Sequence, residues 1–211
     1  MTNWAEVASF ATAGGTLVLA VATFASVRVS NRAARTTERS LIAGFFPLLV
    51  PSRMHDPTEK IRFLDEHWIQ VGGGRAAAEV SNNVIYLAIA LRNVGQGLAL
   101  LDRWTIDASG DVSAEPTHPE GFYRLTRDLY VASGDVGFWQ GTFRDESDPA
   151  FSSVATSILE RRNLTVDLLY GDFEGGHRTV SRFLLSPRGD SEWLSSVLRH
   201  WRLDRPDPRS T

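Results

Sequence analysis

Acidic and histidine side chains that could bind a metal occur together in one short segment, Asp172-x-Glu174-x-x-His177. Imidazole and carboxylate groups ligate zinc in many enzymes, and a single hairpin turn could bring these three side chains together. The same segment contains Gly175 and Gly176, and turns are rich in Asp and Gly because of the backbone conformations that they require. We therefore interpret the cluster as a turn and expect no bound metal or other cofactor.

Four further groupings are weaker candidates for chemistry. Asp107-Ala108-Ser109-Gly110-Asp111 offers oxygen atoms to calcium but lacks the number of ligands that such a site needs. The other three place a histidine beside a carboxylate. They are His55 with Asp56, Asp65-Glu66-His67, and His118 near Glu120.

Motifs of known catalytic machinery are missing from the sequence. It has no nucleophile elbow, zinc-protease helix or phosphate loop, and Gly72-Gly73-Gly74 lacks the lysine of a phosphate-binding loop. We interpret the adhesion tripeptide Arg188-Gly189-Asp190 and the glycosylation sequon at Asn163 as coincidences. The protein is therefore predicted not to be an enzyme.

Charge is unevenly distributed along the chain. Four of the 22 basic residues lie between residues 28 and 39, whereas Glu6 and Glu38 are the only acidic residues among the first forty. The remainder is acidic overall, and contacts to phosphate need clustered positive charge, so nucleic acid is not an expected partner. The absence of cysteine excludes disulfides and cysteine-based zinc sites.

Residues 7–27 contain no charged side chain and are followed directly by Arg28. A helix of this length measures roughly 31 Å, close to the hydrocarbon thickness of a bilayer. A cleaved signal peptide would require a basic residue before the segment, and the sequence has none there. We predict an uncleaved transmembrane helix after a short N-terminus, residues 1–6. A buried core helix is the alternative, and the flanking arginines argue against it.

Arg28, Arg32, Arg35 and Arg39 are spaced four, three and four residues apart, which places them on one face of a continuing helix. This predicts a basic stalk helix over residues 28–44 whose face contacts the lipid headgroups of the bilayer. The positive-inside rule places the following domain in the cytoplasm, so we expect a single-pass protein of the cell membrane. Ordinary flanking charge is the other explanation of these arginines.

The predicted span carries a stripe of small and weakly polar residues, in which Ala11 and Gly15 have the spacing of close helix contacts. The stripe indicates a helix-packing face, for a homo-oligomer or for a partner's span. An alanine-rich helix without a partner explains the composition equally well. The face comprises Ser9, Ala11, Thr12, Gly15, Thr16, Ala20 and Thr23.

From residue 45 to residue 187, short apolar runs alternate with Gly, Pro and Asp turns, which favours a mainly β domain. The spacing is typical of an immunoglobulin-like or fibronectin-like β-sandwich. Bulky residues on both faces of 84–92 predict a central strand, and 164–170 alternates like a half-buried one. Hairpin turns are predicted at 65–66 and 133–135, and a helix at 148–162. The predicted strands are 45–50, 61–64, 68–71, 84–92, 98–106, 122–131, 136–143, 164–170 and 178–185.

Two turn segments carry a resemblance. Leu91-Arg92-Asn93-Val94-Gly95-Gln96-Gly97-Leu98-Ala99 and the later Tyr170-Gly171-Asp172-Phe173-Glu174-Gly175 are similar to segments of uncharacterised bacterial proteins that join one N-terminal span to an immunoglobulin-like β-sandwich. The resemblance implies a fold and a tether, and it identifies no site residues. One lysine among many arginines is also typical of a GC-rich bacterial genome.

The C-terminal residues 188–203 are predicted to form a helix that starts at Ser191, because Leu194, Val197 and Trp201 would share one face. We expect this helix to pack on the β domain, with the membrane interface as the alternative. Residues 204–211 form a polar, proline-containing tail that we predict to be flexible.

These features favour a membrane-tethered, non-enzymatic interaction module or accessory subunit that binds a protein partner at the membrane face. Trp139 and Phe173 are candidates for the partner surface, with core packing as the alternative for each. An envelope-facing adhesin or ligand sensor would need the opposite membrane topology. A hydrolase or metal enzyme would have to use the cluster near Asp172.

Overall fold

The computed structural model describes residues 19–32, 45–110, 118–175 and 177–204. The chain divides into two compact units, with the boundary after Gly44. In the first unit, residues 19–32 form helix α1, whose side chains are exposed. Within the described residues, no helix is long and apolar enough to cross a membrane. Residues 7–18 of the predicted span and 33–44 of the predicted stalk lie outside the described residues.

Helix α1 contains part of each surface predicted for the N-terminal segment. Arg28 and Arg32 lie one turn apart on it, and Ala20 and Thr23 represent the small-residue face. The Thr23 hydroxyl donates a hydrogen bond to the Leu19 carbonyl at 2.8 Å, so it is satisfied within its own helix. The other predicted residues of these two surfaces lie outside the described residues: Ser9, Ala11, Thr12, Gly15, Thr16, Arg35 and Arg39.

The second unit is mainly β, as predicted. Its described residues contain one α-helix, α2 (Phe151–Leu159), within the predicted helical segment, and a 3-10 turn at Pro119–Gly121. The strands are β1 (Leu49–Pro51), β2 (Glu59–Arg62), β3 (Trp68–Val71), β4 (Arg75–Ser81), β5 (Val84–Asn93), β6 (Ala99–Asp107), β7 (Tyr123–Val131), β8 (Val136–Phe143), β9 (Leu164–Gly171), β10 (Thr179–Arg188) and β11 (Glu192–Arg202).

Nine of the strands form one curled sheet in the order β1-β5-β4-β11-β10-β9-β6-β7, with β8 paired to β5. All of the pairings are antiparallel. Strands β2 and β3 form a separate two-stranded hairpin, which confirms the predicted turn at residues 65–66. Because the sheet curls, the inner faces of distant strands such as β5 and β9 line the same hydrophobic core.

Strand β5 is central, and its two faces are buried in different ways. The residues on its inner face belong to the main core, together with Val154 and Ile158 from α2. Those on its outer face are covered by the apolar side chains of the β2–β3 hairpin. This double coverage explains why the strand is apolar at nearly every position. The inner residues are Ile85, Leu87, Ile89 and Leu91, and the outer ones are Tyr86, Ala88 and Ala90.

The side chain of Asn93, at the end of β5, joins several segments that are distant in sequence. Its Oδ1 accepts hydrogen bonds from the backbone N–H groups of Leu48 at 3.1 Å and Gly95 at 3.0 Å. Its Nδ2 donates to the carbonyls of Gly97 at 2.6 Å and Val131 at 3.0 Å. The amide is fully buried and uses both of its polar atoms twice. It therefore fixes three segments together: residues 45–49, which we call the entry segment, the β5–β6 loop and the end of β7.

The glycines that follow Asn93 are required by close backbone approach. A Cβ atom on Gly95 would lie 2.1 Å from the Phe46 carbonyl oxygen, and one on Gly97 would lie 1.9 Å from that of Phe45. These distances are far below contact, so only glycine fits there. The segment 91–99, which contains these turn glycines, therefore packs directly against the backbone of residues 45 and 46.

Two predictions about the strands were wrong, one about pairing and one about burial. The turn at residues 133–135 exists, but β7 and β8 do not form a ladder: β7 pairs with β6 and β8 pairs with β5. Strand β9 was predicted to be half-buried, and all of its positions are buried. Its outer face is covered because Asp167 forms a buried ion pair with Arg182, whose guanidinium lies 5.0 Å from the ring of Trp201.

The predicted C-terminal helix over residues 188–203 was also wrong, since Glu192–Arg202 is strand β11. It pairs with β10 along its length, and a bulge shifts the register between the pairs Arg182–Arg199 and Phe183–Val197. The bulge breaks the two-residue alternation, so the apolar positions acquire a spacing that resembles a helix. Strand β4 was missed, because its Ala-rich sequence has weak β-propensity.

We predict that Asn93→Ala lowers the free energy of unfolding by about 3 kcal/mol, because it leaves four buried backbone groups without their partner. Urea unfolding followed by tryptophan fluorescence measures the change. Asn163→Ala, at an exposed position, is the matched control and is expected to change stability by less than about 0.5 kcal/mol. Equal stabilities of the two variants would contradict the role assigned to Asn93.

Candidate functional site

The cluster near Asp172 forms a hydrogen-bonded turn. Asp172 Oδ2 and His177 Nδ1 lie 2.7 Å apart, and the His177 ring also packs edge-on against Phe46, with their centroids 5.6 Å apart. Glu174 is exposed in the same turn. Across the described residues, no three His, Asp or Glu side chains are placed to hold a metal ion together. The contact between Asp172 and His177 thus closes the β9–β10 turn, and the packing of His177 on Phe46 fastens that turn to the entry segment.

The Asp65-Glu66-His67 grouping belongs to a larger arrangement, which we call the Asp65 cluster: Asp65, His67, Glu79, Tyr86 and Arg144. The Asp65 carboxylate accepts hydrogen bonds from the Tyr86 hydroxyl at 2.5 Å and from Arg144 at 2.7 Å. The His67 ring stacks on Tyr86 with centroids 4.0 Å apart and contacts the Glu79 carboxylate. Each polar side chain of the cluster has a partner within it, so the cluster fastens the β2–β3 hairpin to β5.

The surroundings of Asp65 and Tyr86 within the Asp65 cluster shift the pKa of each group. The hydrogen bond from Arg144 holds the pKa of Asp65 well below its usual range, and the Tyr86 hydroxyl acts in the same direction. Burial raises the pKa of Tyr86 to about 12, and its hydrogen bond to the Asp65 carboxylate adds to the shift. Asp65 is therefore ionised and Tyr86 neutral over the physiological range, which suits a stable contact rather than proton transfer.

The remaining candidate residues are also used in local structure. Asp56 forms an ion pair with Arg92 at 2.6 Å, and this contact lowers the pKa of Asp56. Asp107 accepts hydrogen bonds from the backbone N–H and hydroxyl of Ser109, which closes a turn, and Asp111 lies outside the described residues. His55 lies in one exposed segment, and His118 and Glu120 lie together in another, at the 3-10 turn.

The two aromatic residues proposed for a partner surface differ in their burial. Trp139 is fully buried in the core, where its ring meets that of Trp104 at a centroid distance of 5.1 Å. It is therefore not part of a surface. Phe173 is 78% exposed in the β9–β10 turn.

A groove of about 820 Å³ runs along the side of β4, and it is the strongest candidate for a binding site. It exists because β4 and β11 separate soon after they meet. The two strands pair only at Ala76–Trp193 and Arg75–Leu194. Beyond Ala76, β4 keeps β5 on one side and, within the described residues, has no strand on the other.

The groove has a narrow floor and two walls from different parts of the chain. Ala76, Ala77 and Ala78 form the floor, so small side chains leave room above the strand. The outer wall comes from the β2–β3 hairpin and includes Trp68, which is 60% exposed. The opposite wall comes from the end of α2 and from the turn between β10 and β11. The residues that line this second wall are Ile158, Arg161, Asp190, Ser191, Glu192 and Trp193.

Arg161 holds this second wall in place. Its Nη2 donates hydrogen bonds to the carbonyls of Gly189 at 3.1 Å and Glu192 at 2.5 Å, and its guanidinium lies 4.6 Å from the centre of the Trp193 ring. The residue has a positive φ of 55° immediately after α2, which turns the chain so that the side chain can reach the β10–β11 turn. The Arg161 Nε atom is buried and has no hydrogen-bond partner among the described residues.

Acidic side chains outnumber basic ones around the groove. The two guanidiniums are committed, Arg75 to an ion pair with Glu192 and Arg161 to the wall contacts above. Asp190 is exposed and forms no ion pair with any described residue. Asp56 is paired with Arg92, whereas Arg161 bonds neutral carbonyls and keeps its charge. The groove therefore presents only a small net negative charge, which comes from Glu79 and Asp190. Its carboxylates are Asp56, Glu79, Asp190 and Glu192.

Sequence reasoning did not find this groove. Its residues come from four separated stretches, and the strand at its centre was not predicted. One signal was present in hindsight: the Ala76-Ala77-Ala78 run, followed by Asn82-Asn83, is a flat strand leading into a two-residue hairpin turn. Both asparagines have positive φ, at 50° and 58°, as that turn requires.

Comparison with known proteins adds no assignment. No protein-family model matches the chain, and no curated protein matches it in sequence.

We predict that Tyr86→Phe makes stability less dependent on pH between about pH 10 and pH 12. The folded pKa of about 12 lies above the ordinary value of 10.0, so folding favours the neutral phenol. That stability is fully present below pH 10 and is lost as the pH rises through the folded value. Urea unfolding at several pH values measures the slope, and equal slopes for wild type and variant would refute the prediction.

Proposed function

We propose that residues 45–204 form a non-enzymatic protein-binding module, and that the groove beside β4 is its binding surface. The observation that carries the proposal is an open groove of about 820 Å³ next to a strand with one free edge. Ligand-binding clefts commonly have volumes of about 300–1,000 Å³. An exposed strand edge is in addition a ready template for pairing with another chain.

The engagement of the reactive side chains supports binding rather than catalysis. The carboxylates and histidines that suggested chemistry are hydrogen-bonded in pairs that fasten loops, as between Asp172 and His177 or within the Asp65 cluster. What the groove offers to a ligand is backbone, the indole of Trp68 and negative charge. These features recognise a chain and do not activate a nucleophile.

The proposal includes a membrane tether and a cytoplasmic domain of the immunoglobulin-like sandwich class. The tether rests on the uncharged segment 7–27 and on the arginines that follow it. The sandwich is supported by the curled sheet, whose opposed inner faces share one core. The entry segment suits a tethered domain, because Asn93 and Tyr170 hydrogen-bond the backbone N–H groups of Leu48 and Leu49.

A photo-reactive amino acid at Gln70, an exposed groove residue, tests the binding surface in intact cells of the source organism. We expect a discrete adduct with a partner protein, and we expect it to disappear when Thr58→Trp fills the groove. The same probe at Asp128, an exposed residue of β7 outside the groove, is the matched control. Adducts that form equally at both positions, or that survive Thr58→Trp, would refute the proposal.

Membrane topology is tested with two C-terminal reporters on the full-length protein, one active only in the cytoplasm and one only outside it. We expect the cytoplasmic reporter to be active and intact cells to protect the domain from added protease. Replacing the four arginines, Arg28, Arg32, Arg35 and Arg39, by glutamine is expected to increase the fraction with the opposite orientation. An exterior domain in the wild type would replace this proposal by an adhesin or ligand sensor.

A further inference from the structure

The free edge of β4 presents a definite set of backbone groups. Strands β4 and β5 are joined by a two-residue turn, with Ser81 paired to Val84. In such a turn the Ser81 carbonyl faces the Val84 N–H, and along a strand successive residues direct their polar groups to opposite edges. The N–H and C=O groups of Glu79 therefore face β5, whereas those of Ala78 and Val80 face the groove.

We infer that the groove binds an extended, basic segment of a partner protein as an additional strand on β4. This inference deepens the proposed function and rests on it, since it names the kind of segment that the module recognises. Main-chain hydrogen bonds to Ala78 and Val80 supply the register. The carboxylates of the walls supply the preference for Lys or Arg side chains.

The dimensions of the groove favour a single strand. Residues 77–81 provide an edge of five residues, which in an extended chain spans about 17 Å. The floor carries alanines, so a strand can approach β4 without displacing large side chains. The hairpin with Trp68 lies on one side of this edge, and Arg161 with Trp193 lies on the other.

Charge favours a basic segment. Of the groove carboxylates, Asp190 has no ion-pair partner among the described residues, and Glu79 contacts only the His67 ring in the Asp65 cluster. Arg75 is paired with Glu192, and Arg161 donates to neutral carbonyls, so Glu79 and Asp190 exceed the one unpaired positive charge of the groove. An acidic segment near Asp190 would be repelled, whereas a Lys or Arg there would gain an ion pair.

The test uses the full-length protein in detergent and a capped nine-residue peptide of alternating valine and lysine, with binding followed by fluorescence anisotropy. Two further peptides are matched to it. One carries N-methyl groups on alternate residues, which removes the donors of one edge and keeps every side chain. The other replaces each lysine by glutamate.

We expect the N-methylated peptide to bind at least about tenfold more weakly, since it loses hydrogen bonds to β4. We expect no saturable binding of the glutamate peptide. Val80→Pro removes a groove-facing N–H from β4 and should cause a similar loss, while Val80→Ala keeps that N–H and should bind within about threefold of wild type. Asp190→Lys should weaken the binding of the lysine peptide through its charge, without removing the backbone hydrogen bonds of the strand pairing. Unchanged binding of the N-methylated peptide would overturn the inference without requiring any protein variant to fold.

The outcomes separate this inference from the proposed function. If the lysine peptide does not bind, or if N-methylation has no effect, while the Gln70 probe still captures a partner, strand addition is wrong and the binding surface stands. If the Gln70 probe captures nothing, the binding surface itself is wrong. If sedimentation shows a dimer that Val80→Pro dissociates and Val80→Ala preserves, the groove is occupied by a second copy, which also overturns the inference.

Discussion

The buried side-chain amide of Asn93 is the contact on which the packing of the entry segment, the β5–β6 loop and the end of β7 depends. Four backbone groups from three segments meet at its two polar atoms. A buried polar group is costly unless it is satisfied, so this geometry tolerates little displacement. The glycines at 95 and 97 follow from the same constraint, because the entering chain passes directly over them.

A second series of hydrogen bonds, which begins at Tyr170 in β9, also holds the entry segment. The Tyr170 hydroxyl accepts a hydrogen bond from the Leu49 N–H at 3.1 Å and lies 2.8 Å from the Ser181 hydroxyl, which in turn lies 2.6 Å from His200 Nδ1. Burial raises the pKa of Tyr170 to about 12, so the phenol stays protonated. Strand β1 is only three residues long, and these contacts explain how so short a strand keeps its place.

The open edge of β4 is a consequence of how the rest of the sheet is covered. The β2–β3 hairpin crosses the outer face of β5 and does not extend the main sheet, so beyond Ala76 one edge of β4 has no neighbouring strand among the described residues. Helix α2 inserts Val154 and Ile158 into the core, and its C-terminal end contributes to the far wall of the groove. Most proteins protect a strand edge with charge, a bulge or a cover. Here the edge lies between the two walls of the groove, and the strand addition inferred above would cover it.

The amino-acid sequence by itself determined the mainly β class, the positions of most strands, helix α2 and the double burial of β5, because these features depend on local propensity and on the periodicity of apolar residues. Apart from local hairpins such as β2–β3, only the tertiary structure decided which strands pair. The β7–β8 turn joins strands with different neighbours, and β11 forms because β10 offers it a full ladder despite helix-like spacing. The groove and the contacts of Asn93 join residues far apart in the chain, and no local pattern records which distant backbone group a buried amide or a strand edge will meet.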